Sequence, residues 1–143
     1  MWTKNKTYHK KEKSNSNRYE RLEEIIESED ILEWPDSWAG FPEDVPVGQK
    51  LLPYFKLYLQ KLLEKNLTKK TIKSHGEYLW ALGGEIIREI HDCEEDRNKT
   101  GKEILLKYIH DSGGPYWPHA DNETDHKRYD SVCKRLWKLI KYG

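Results

Sequence analysis

Apolar residues recur every three or four positions along much of this chain, which is the spacing of amphipathic helices. The first clear run predicts a helix over about residues 49–65, with Pro53 in its opening turn, where a missing backbone N–H is tolerated. A second run predicts a helix over 69–91, and Thr68 precedes it as a favoured N-cap residue. These two helices would be joined by a very short turn.

Two further helices are predicted towards the C-terminus. The third opens with Thr100 and Glu103, which have the spacing of a capping box, and a loop rich in Gly and Pro ends it. The fourth covers about residues 125–141. No segment shows the alternation of a strand, so the predicted fold class is all-α, with a four-helix bundle at its centre.

The N-terminal third looks different. Residues 1–17 are polar and rich in Lys, Ser and Asn, which predicts a flexible basic arm, and 18–29 can form a short amphipathic helix. We expect residues 18–143 to form a single helical domain. Residues 31–48 contain five Pro and Gly residues and are predicted to form an irregular loop, pinned to the core by its aromatic side chains: Trp34, Trp38 and Phe41.

The net charge is zero, from 25 basic and 25 acidic residues, but the charges are segregated along the chain. Residues 22–45 hold nine acidic groups and no basic one, whereas residues 50–73 hold seven lysines and one glutamate. Such blocks either form separate charged surfaces or neutralise each other inside the fold, and the sequence favours neither alternative.

The sequence also bears on location. The N-terminus lacks the apolar segment of a secretory signal, and no stretch approaches the length of a membrane span. Cys93 and Cys133 show no paired spacing, which favours buried free thiols in a reducing, cytoplasmic setting over a disulfide between them.

The start of the second predicted helix is the best candidate for a binding site. Lysine is mildly unfavourable in a first turn, where the helix dipole is positive, yet Lys69 and Lys70 lie there, and Lys73 follows with the hydroxyls of Thr71 and Ser74 beside it. Ammonium groups, hydroxyls and unpaired backbone N–H groups suit phosphate oxygens. The alternative is an ordinary solvated helix start.

A second basic row lies on the fourth predicted helix, at Lys127, Lys134, Lys138 and Lys141. A surface helix often has such a row, and we favour that reading unless the row and the Lys69 region lie on the same side of the protein. In that case Lys134 and Lys138 would join the start of the second helix as candidates for phosphate contacts.

Other conspicuous residues are expected to be structural. His75 lies near the apolar stripe and is expected to be half-buried and hydrogen-bonded. Gly83 and Gly84 each cost about 1 kcal/mol relative to Ala in a helix, so we expect a second helix to approach closely at Gly84. Trp117 is expected to pack.

No arrangement of residues predicts catalysis or a cofactor. His119, Asp121, Asp125 and His126 have the side chains of metal ligands, but their spacing matches no zinc or calcium loop, and capping of the fourth helix is the favoured role. We therefore expect no catalytic residue, metal or cofactor.

The order of elements, together with the turn Leu67-Thr68-Lys69-Lys70-Thr71-Ile72, resembles the core-binding domain of tyrosine recombinases, the phage-type integrases. The resemblance covers about residues 48–141, with Leu52 to Leu63 as the first helix and Tyr129 to Ile140 as the last. It implies a small helical bundle that clamps DNA with the start of its second helix.

The chain departs from that family where catalysis is concerned. The recombinase catalytic domain, with its His-x-x-Arg pair and nucleophilic Tyr, has no counterpart in this sequence. The expected function is therefore non-enzymatic DNA binding, as a recombinase-derived accessory protein. The alternative is a helical protein-interaction module that uses the acidic 22–45 segment. The sequence sets neither a DNA target nor an oligomeric state.

Overall fold

The computed structural model describes residues 31–143, of which 74% are helical and none form a strand. A 3-10 turn at Ile31–Glu33 leads into the helices α1 (Trp34–Trp38), α2 (Asp44–Glu64), α3 (Lys69–Ile90), α4 (Gly101–Tyr108) and α5 (Glu123–Tyr142), with a second 3-10 turn at Glu94–Asn98 before α4. The all-α prediction is confirmed. The predicted arm over 1–17 and helix over 18–29 lie outside the described residues.

Side-chain caps set the starts of three helices. Thr68 accepts the N–H of Thr71 at 3.1 Å, and Thr100 forms the predicted capping box with Glu103. The Asn122 side chain accepts the N–H of Asp125 at 2.7 Å, so α5 begins two residues earlier than predicted. The Thr68 cap and the capping box depend on neighbouring residues alone, so the sequence was sufficient to predict them.

The predicted loop over 31–48 is wrong for most of its length. Pro35 occupies the first turn of α1, where its missing N–H costs nothing, and Pro46 lies in the first turn of α2 for the same reason. Consequently α2 begins at Asp44 rather than at residue 49. Pro53 therefore lies in the interior of α2 and not in its opening turn, so the carbonyl of Gln49 lacks its usual intrahelical partner.

The core lies where α2, α3 and α5 meet, with α4 closing one side and α1 packed on α2 and α3. Trp34 and Trp38 are buried as predicted, and their rings contact Phe55 edge-on. Phe41 was expected to be a third anchor, but 53% of its surface is exposed. Its ring contacts the His91 ring edge-on.

The glycine pair of α3 accommodates Trp38. A Cβ atom at Gly83 would lie 2.1 Å from the Trp38 ring, far inside van der Waals contact, whereas one at Gly84 would lie 3.4 Å from it. The Trp38 indole N–H donates to the Trp80 carbonyl at 2.9 Å. The expected close approach therefore exists, but at Gly83 instead of Gly84, and an indole ring makes it.

Two buried carboxylates hold together the segments that connect the helices. Asp44 accepts the N–H groups of Gly40 and Phe41 and contacts His91 at 2.8 Å and Arg97 at 3.3 Å. Burial raises the pKa of Asp44, but the His91 and backbone hydrogen bonds outweigh it and hold the pKa below its usual value. Part of the acidic block is thus neutralised inside the fold.

Asp96 has the same role at the next turn. It contacts the ammonium groups of Lys107 at 2.6 Å and Lys99 at 2.9 Å and accepts the Tyr108 hydroxyl. Cys93, beside Lys107, is only half-buried, whereas Cys133 is fully buried, and both thiols are free. The expectation of two buried thiols therefore holds for Cys133 alone.

Candidate nucleic-acid interface

The outer face of α5 is almost uniformly basic. Between residues 127 and 141 the helix has six basic residues and one acidic residue, and all six basic side chains are exposed: Lys127, Arg128, Lys134, Arg135, Lys138 and Lys141. The acidic residue, Asp130, contacts the His126 ring at 3.2 Å and accepts the Gly114 N–H. We call these six side chains the α5 basic face; at 1.5 Å per residue it is about 21 Å long.

Folding alone accounts for part of this charge. Lys141 lies in the last turn of α5, where a cation stabilises the helix dipole. The other five lie too far from that end to benefit, because the effect falls off within one turn. Helix stability therefore does not explain them, which leaves an ordinary solvated surface or an anionic partner.

Two arginines of this face reach α3. Arg135 lies beside His75 and the Tyr58 hydroxyl, and its positive charge adds to burial in holding the pKa of His75 below 6.5. Arg128 lies beside the Tyr78 hydroxyl, which also donates to Asp125 at 2.5 Å. The basic face therefore borders the seam between α3 and α5 rather than standing alone.

The residues predicted at the start of α3 divide into two groups. Lys70, Ser74 and Tyr78 recur every four residues, and that row leads to the contact of Tyr78 with α5. Lys69 and Lys73 each precede a member of that row by one residue. They lie on the face of α3 that includes Trp80, whose indole N–H donates to the hydroxyl of Ser37 in α1. Thr71 is half-buried, and its hydroxyl accepts from Thr68 at 3.0 Å.

This division changes the candidate site. Lys70 and Ser74 belong to the row whose third member, Tyr78, contacts α5. Lys69 and Lys73 belong to the face of Trp80, which contacts α1, so the lysines at the start of α3 present charge in two directions. Sequence reasoning missed Arg128 and Arg135, which become prominent only once α5 is packed across α3.

His75 behaves as expected of a structural residue. It is half-buried, and its Nδ1 atom lies 2.9 Å from the Tyr58 hydroxyl. Burial raises the pKa of Tyr58, so the phenol stays neutral beside the ring nitrogen. This pair fixes α2 to α3 directly below Arg135.

An aromatic pocket opens at the N-terminal end of the basic face. Its volume is about 420 Å³, and its lining includes Tyr116, Trp117, His126 and Lys127. The Trp117 ring is half-buried and packs on Tyr78 and Tyr129 with centroids 5.9 and 5.1 Å away, so the packing expected of Trp117 is present. The Tyr116 side chain is 72% exposed.

The residues near the start of α5 that have metal-ligand side chains bind protein groups instead. Asp125 binds Tyr78 and the N–H of Asp121, and His126 contacts Asp130. Within residues 31–143, no group of three or more His, Cys, Asp or Glu side chains is placed to hold a metal ion. The same part of the chain has no helix both long and apolar enough to cross a bilayer.

Comparison of the chain with protein-family models, with curated proteins and with solved structures finds no match. The resemblance to recombinase core-binding domains therefore rests on residues 48–141 of the sequence itself and stays a prediction.

Proposed function

We propose that this protein binds DNA without catalysing a reaction, and that it does so through the α5 basic face and the adjoining start of α3. The observation behind this proposal is the six exposed cations of α5, with no unpartnered carboxylate among them. Ammonium and guanidinium groups along one helix suit the phosphates of a nucleic acid backbone.

The dimensions are compatible with a duplex. A basic face of about 21 Å matches roughly six base pairs at 3.4 Å each. Lys70 and Ser74 share an α3 row with Tyr78, which contacts α5, so we expect them to offer a cation and a hydroxyl to phosphates beside the basic face. Such contacts position a protein on DNA without reading its sequence.

The neutral net charge counts less against DNA binding than its value implies. Asp44 and Asp96 are fully buried and paired with basic groups, and Asp125 and Asp130 are engaged in contacts of their own. Some lysines are also internal: Lys50 donates to the carbonyls of Arg97 and Lys99. Among the helices of residues 31–143, α5 has the most exposed Lys and Arg side chains.

The proposal is tested with a double variant, Lys134→Gln with Lys138→Gln, in the full chain. Binding to a labelled duplex is measured by fluorescence anisotropy at several salt concentrations. Two lost phosphate contacts should lower affinity and reduce the slope of log K against log salt by roughly two. A parallel variant replaces Lys69, Lys70 and Lys73 and should show a smaller loss, because two of these lysines lie towards α1.

A matched control removes the same charge elsewhere. Lys65 and Lys102 are exposed lysines outside α3 and α5, and replacing both by Gln should leave binding unchanged. Equal effects of the two double variants would show that only net charge matters and would refute the α5 site. Absence of salt-sensitive binding by the parent protein would refute DNA binding altogether.

A protein-interaction module is the second candidate. Glu33 and Asp36 are exposed next to two exposed apolar side chains of the same region, Leu32 at 64% and Trp80 at 46%. An acidic surface with apolar residues suits a basic partner segment. Asp44, however, is unavailable to a partner because it is buried, and this weakens the acidic segment as a continuous surface.

A further inference from the structure

The pocket at the N-terminal end of α5 has three properties of a site for a flat, apolar ring. Its volume of about 420 Å³ lies within the range of small-molecule sites, roughly 300–1,000 Å³. Aromatic side chains form its walls, with Tyr116 and Trp117 as consecutive residues. Ala120 leaves room where a larger side chain would fill it.

The walls are held in place by contacts beneath the pocket. Trp117 packs edge-on against Tyr78 of α3 and nearly parallel to Tyr129 of α5, at interplanar angles of 89° and 32°. The backbone N–H of Trp117 donates to the Nε2 atom of His126 at 3.4 Å. The Tyr116 ring lies over the His126 ring, with centroids 5.5 Å apart. Tyr116 is thus exposed to solvent although its position is defined.

The pocket is continuous with the α5 basic face. Lys127 is the first residue of that face and also lines the pocket. A nucleic acid strand that follows the face from Lys141 towards Lys127 would therefore reach the aromatic walls at its end. Aromatic side chains at the end of a basic groove are the arrangement with which proteins stack unpaired bases.

We propose that this pocket binds an unstacked nucleobase, so that the DNA held along α5 is one with an unpaired nucleotide, such as a duplex with a single-stranded overhang. This inference rests on the proposed DNA binding. Stacking on Tyr116 and Trp117 supplies the apolar contact, and Lys127 meets the phosphate of the same nucleotide. Glu123 at the rim suits the exocyclic amino group of cytosine or adenine, which donates to a carboxylate.

The test compares three DNA molecules of equal duplex length with the full-length protein. The first is blunt, the second has a three-nucleotide overhang, and the third has the same overhang with abasic sites. The second and third have equal phosphate charge, so a difference between them reports the bases alone. We expect the overhang with bases to bind at least about fivefold more tightly than the abasic one, as expected for one stacked base.

Variants assign the effect to the pocket. Tyr116→Ala should reduce binding of the overhang with bases to the abasic level, and Tyr116→Phe should restore it because the ring is kept. Tyr142→Ala removes another exposed tyrosine at the opposite end of α5 and should change nothing. Ala120→Leu, which fills the pocket, should act like Tyr116→Ala.

The outcomes separate this inference from the proposed function. Equal, salt-sensitive binding of all three DNA molecules would overturn the base-binding pocket and leave DNA binding by α5 intact. Base-dependent binding that survives Tyr116→Ala and Ala120→Leu would also overturn it, because the base would then lie elsewhere. Failure of every DNA to bind would reject the proposed function and this inference with it.

Discussion

Two adjacent glycines of α3 should respond in opposite directions to the same substitution. On helix propensity alone, Gly→Ala stabilises a helix interior by about 1 kcal/mol. At Gly83, however, the new Cβ would lie 2.1, 2.4 and 2.6 Å from three atoms of the Trp38 ring. At Gly84 the nearest Trp38 atom would be 3.4 Å away, which is ordinary contact.

The magnitude follows from what Trp38 would lose by moving. The ring is 8% exposed, packs edge-on against Phe55, and donates its indole N–H to the Trp80 carbonyl. Overpacking costs about 1–3 kcal/mol and the hydrogen bond contributes about 0.5–1.5 kcal/mol. After the propensity gain is subtracted, Gly83→Ala should destabilise the protein by about 0.5–3.5 kcal/mol, whereas Gly84→Ala should be neutral or stabilising by up to about 1 kcal/mol.

Urea unfolding followed by circular dichroism at 222 nm measures both variants in the full chain. Equal stabilisation by the two substitutions would show that Trp38 does not occupy the notch at Gly83. Gly83→Ala combined with Trp38→Ala provides the internal control. If the clash is the cause, the glycine substitution should lose its penalty once the indole is absent, so that the two effects are not additive.

Two further predictions concern titratable groups. Burial, with Arg135 nearby, holds the pKa of His75 below 6.5, so at lower pH the unfolded chain binds a proton at this residue more readily than the folded protein does. The free energy of unfolding should therefore fall as the pH drops through 6.5, by at most about 1.4 kcal/mol per pH unit. His75→Gln should remove this part of the slope when unfolding is measured between about pH 7 and pH 5. Cys133 is fully buried with a raised pKa, whereas Cys93 is half-exposed; a thiol reagent should therefore modify one cysteine per native chain and two after denaturation, and two fast thiols in the native protein would contradict this burial.

The parts of the fold that the sequence predicts well are those with local causes. The start of α3 at Lys69 follows from the Thr68 cap, and that of α4 from Thr100 and Glu103. The segment before α2 could not be predicted in this way, because its helical form depends on distant partners. Pro35 packs near Gly48, Trp38 enters the notch of α3, and Asp44 binds His91, 47 residues further along the chain.

The candidate site likewise has a part that local sequence patterns predict and a part that depends on long-range packing. The lysine pairs 69–70 and 134–138 are visible in the sequence as helix-face patterns. That the row of Lys70 leads to α5 through Tyr78, while the face of Lys69 and Lys73 leads to α1 through Trp80, depends on how α3 packs, and so does the position of Arg135 beside His75. The pocket is less predictable still, because its walls come from a loop whose conformation is set by Trp117 packing on two different helices.

Trp38 in its notch also bears on how this protein can be divided. The portion that resembles a recombinase core-binding domain begins near residue 48, but its α3 has a cleft at Gly83 that only a residue from outside that portion fills. His91 and Arg97 likewise lie within that portion, and the Asp44 carboxylate they contact lies outside it. A fragment that begins at residue 48 would expose the cleft at Gly83 and leave His91 and Arg97 without the Asp44 carboxylate. The bundle and the segment before it therefore form one structural unit. Gene recombination could move this unit into another protein intact only if Trp38 and Asp44 moved with it.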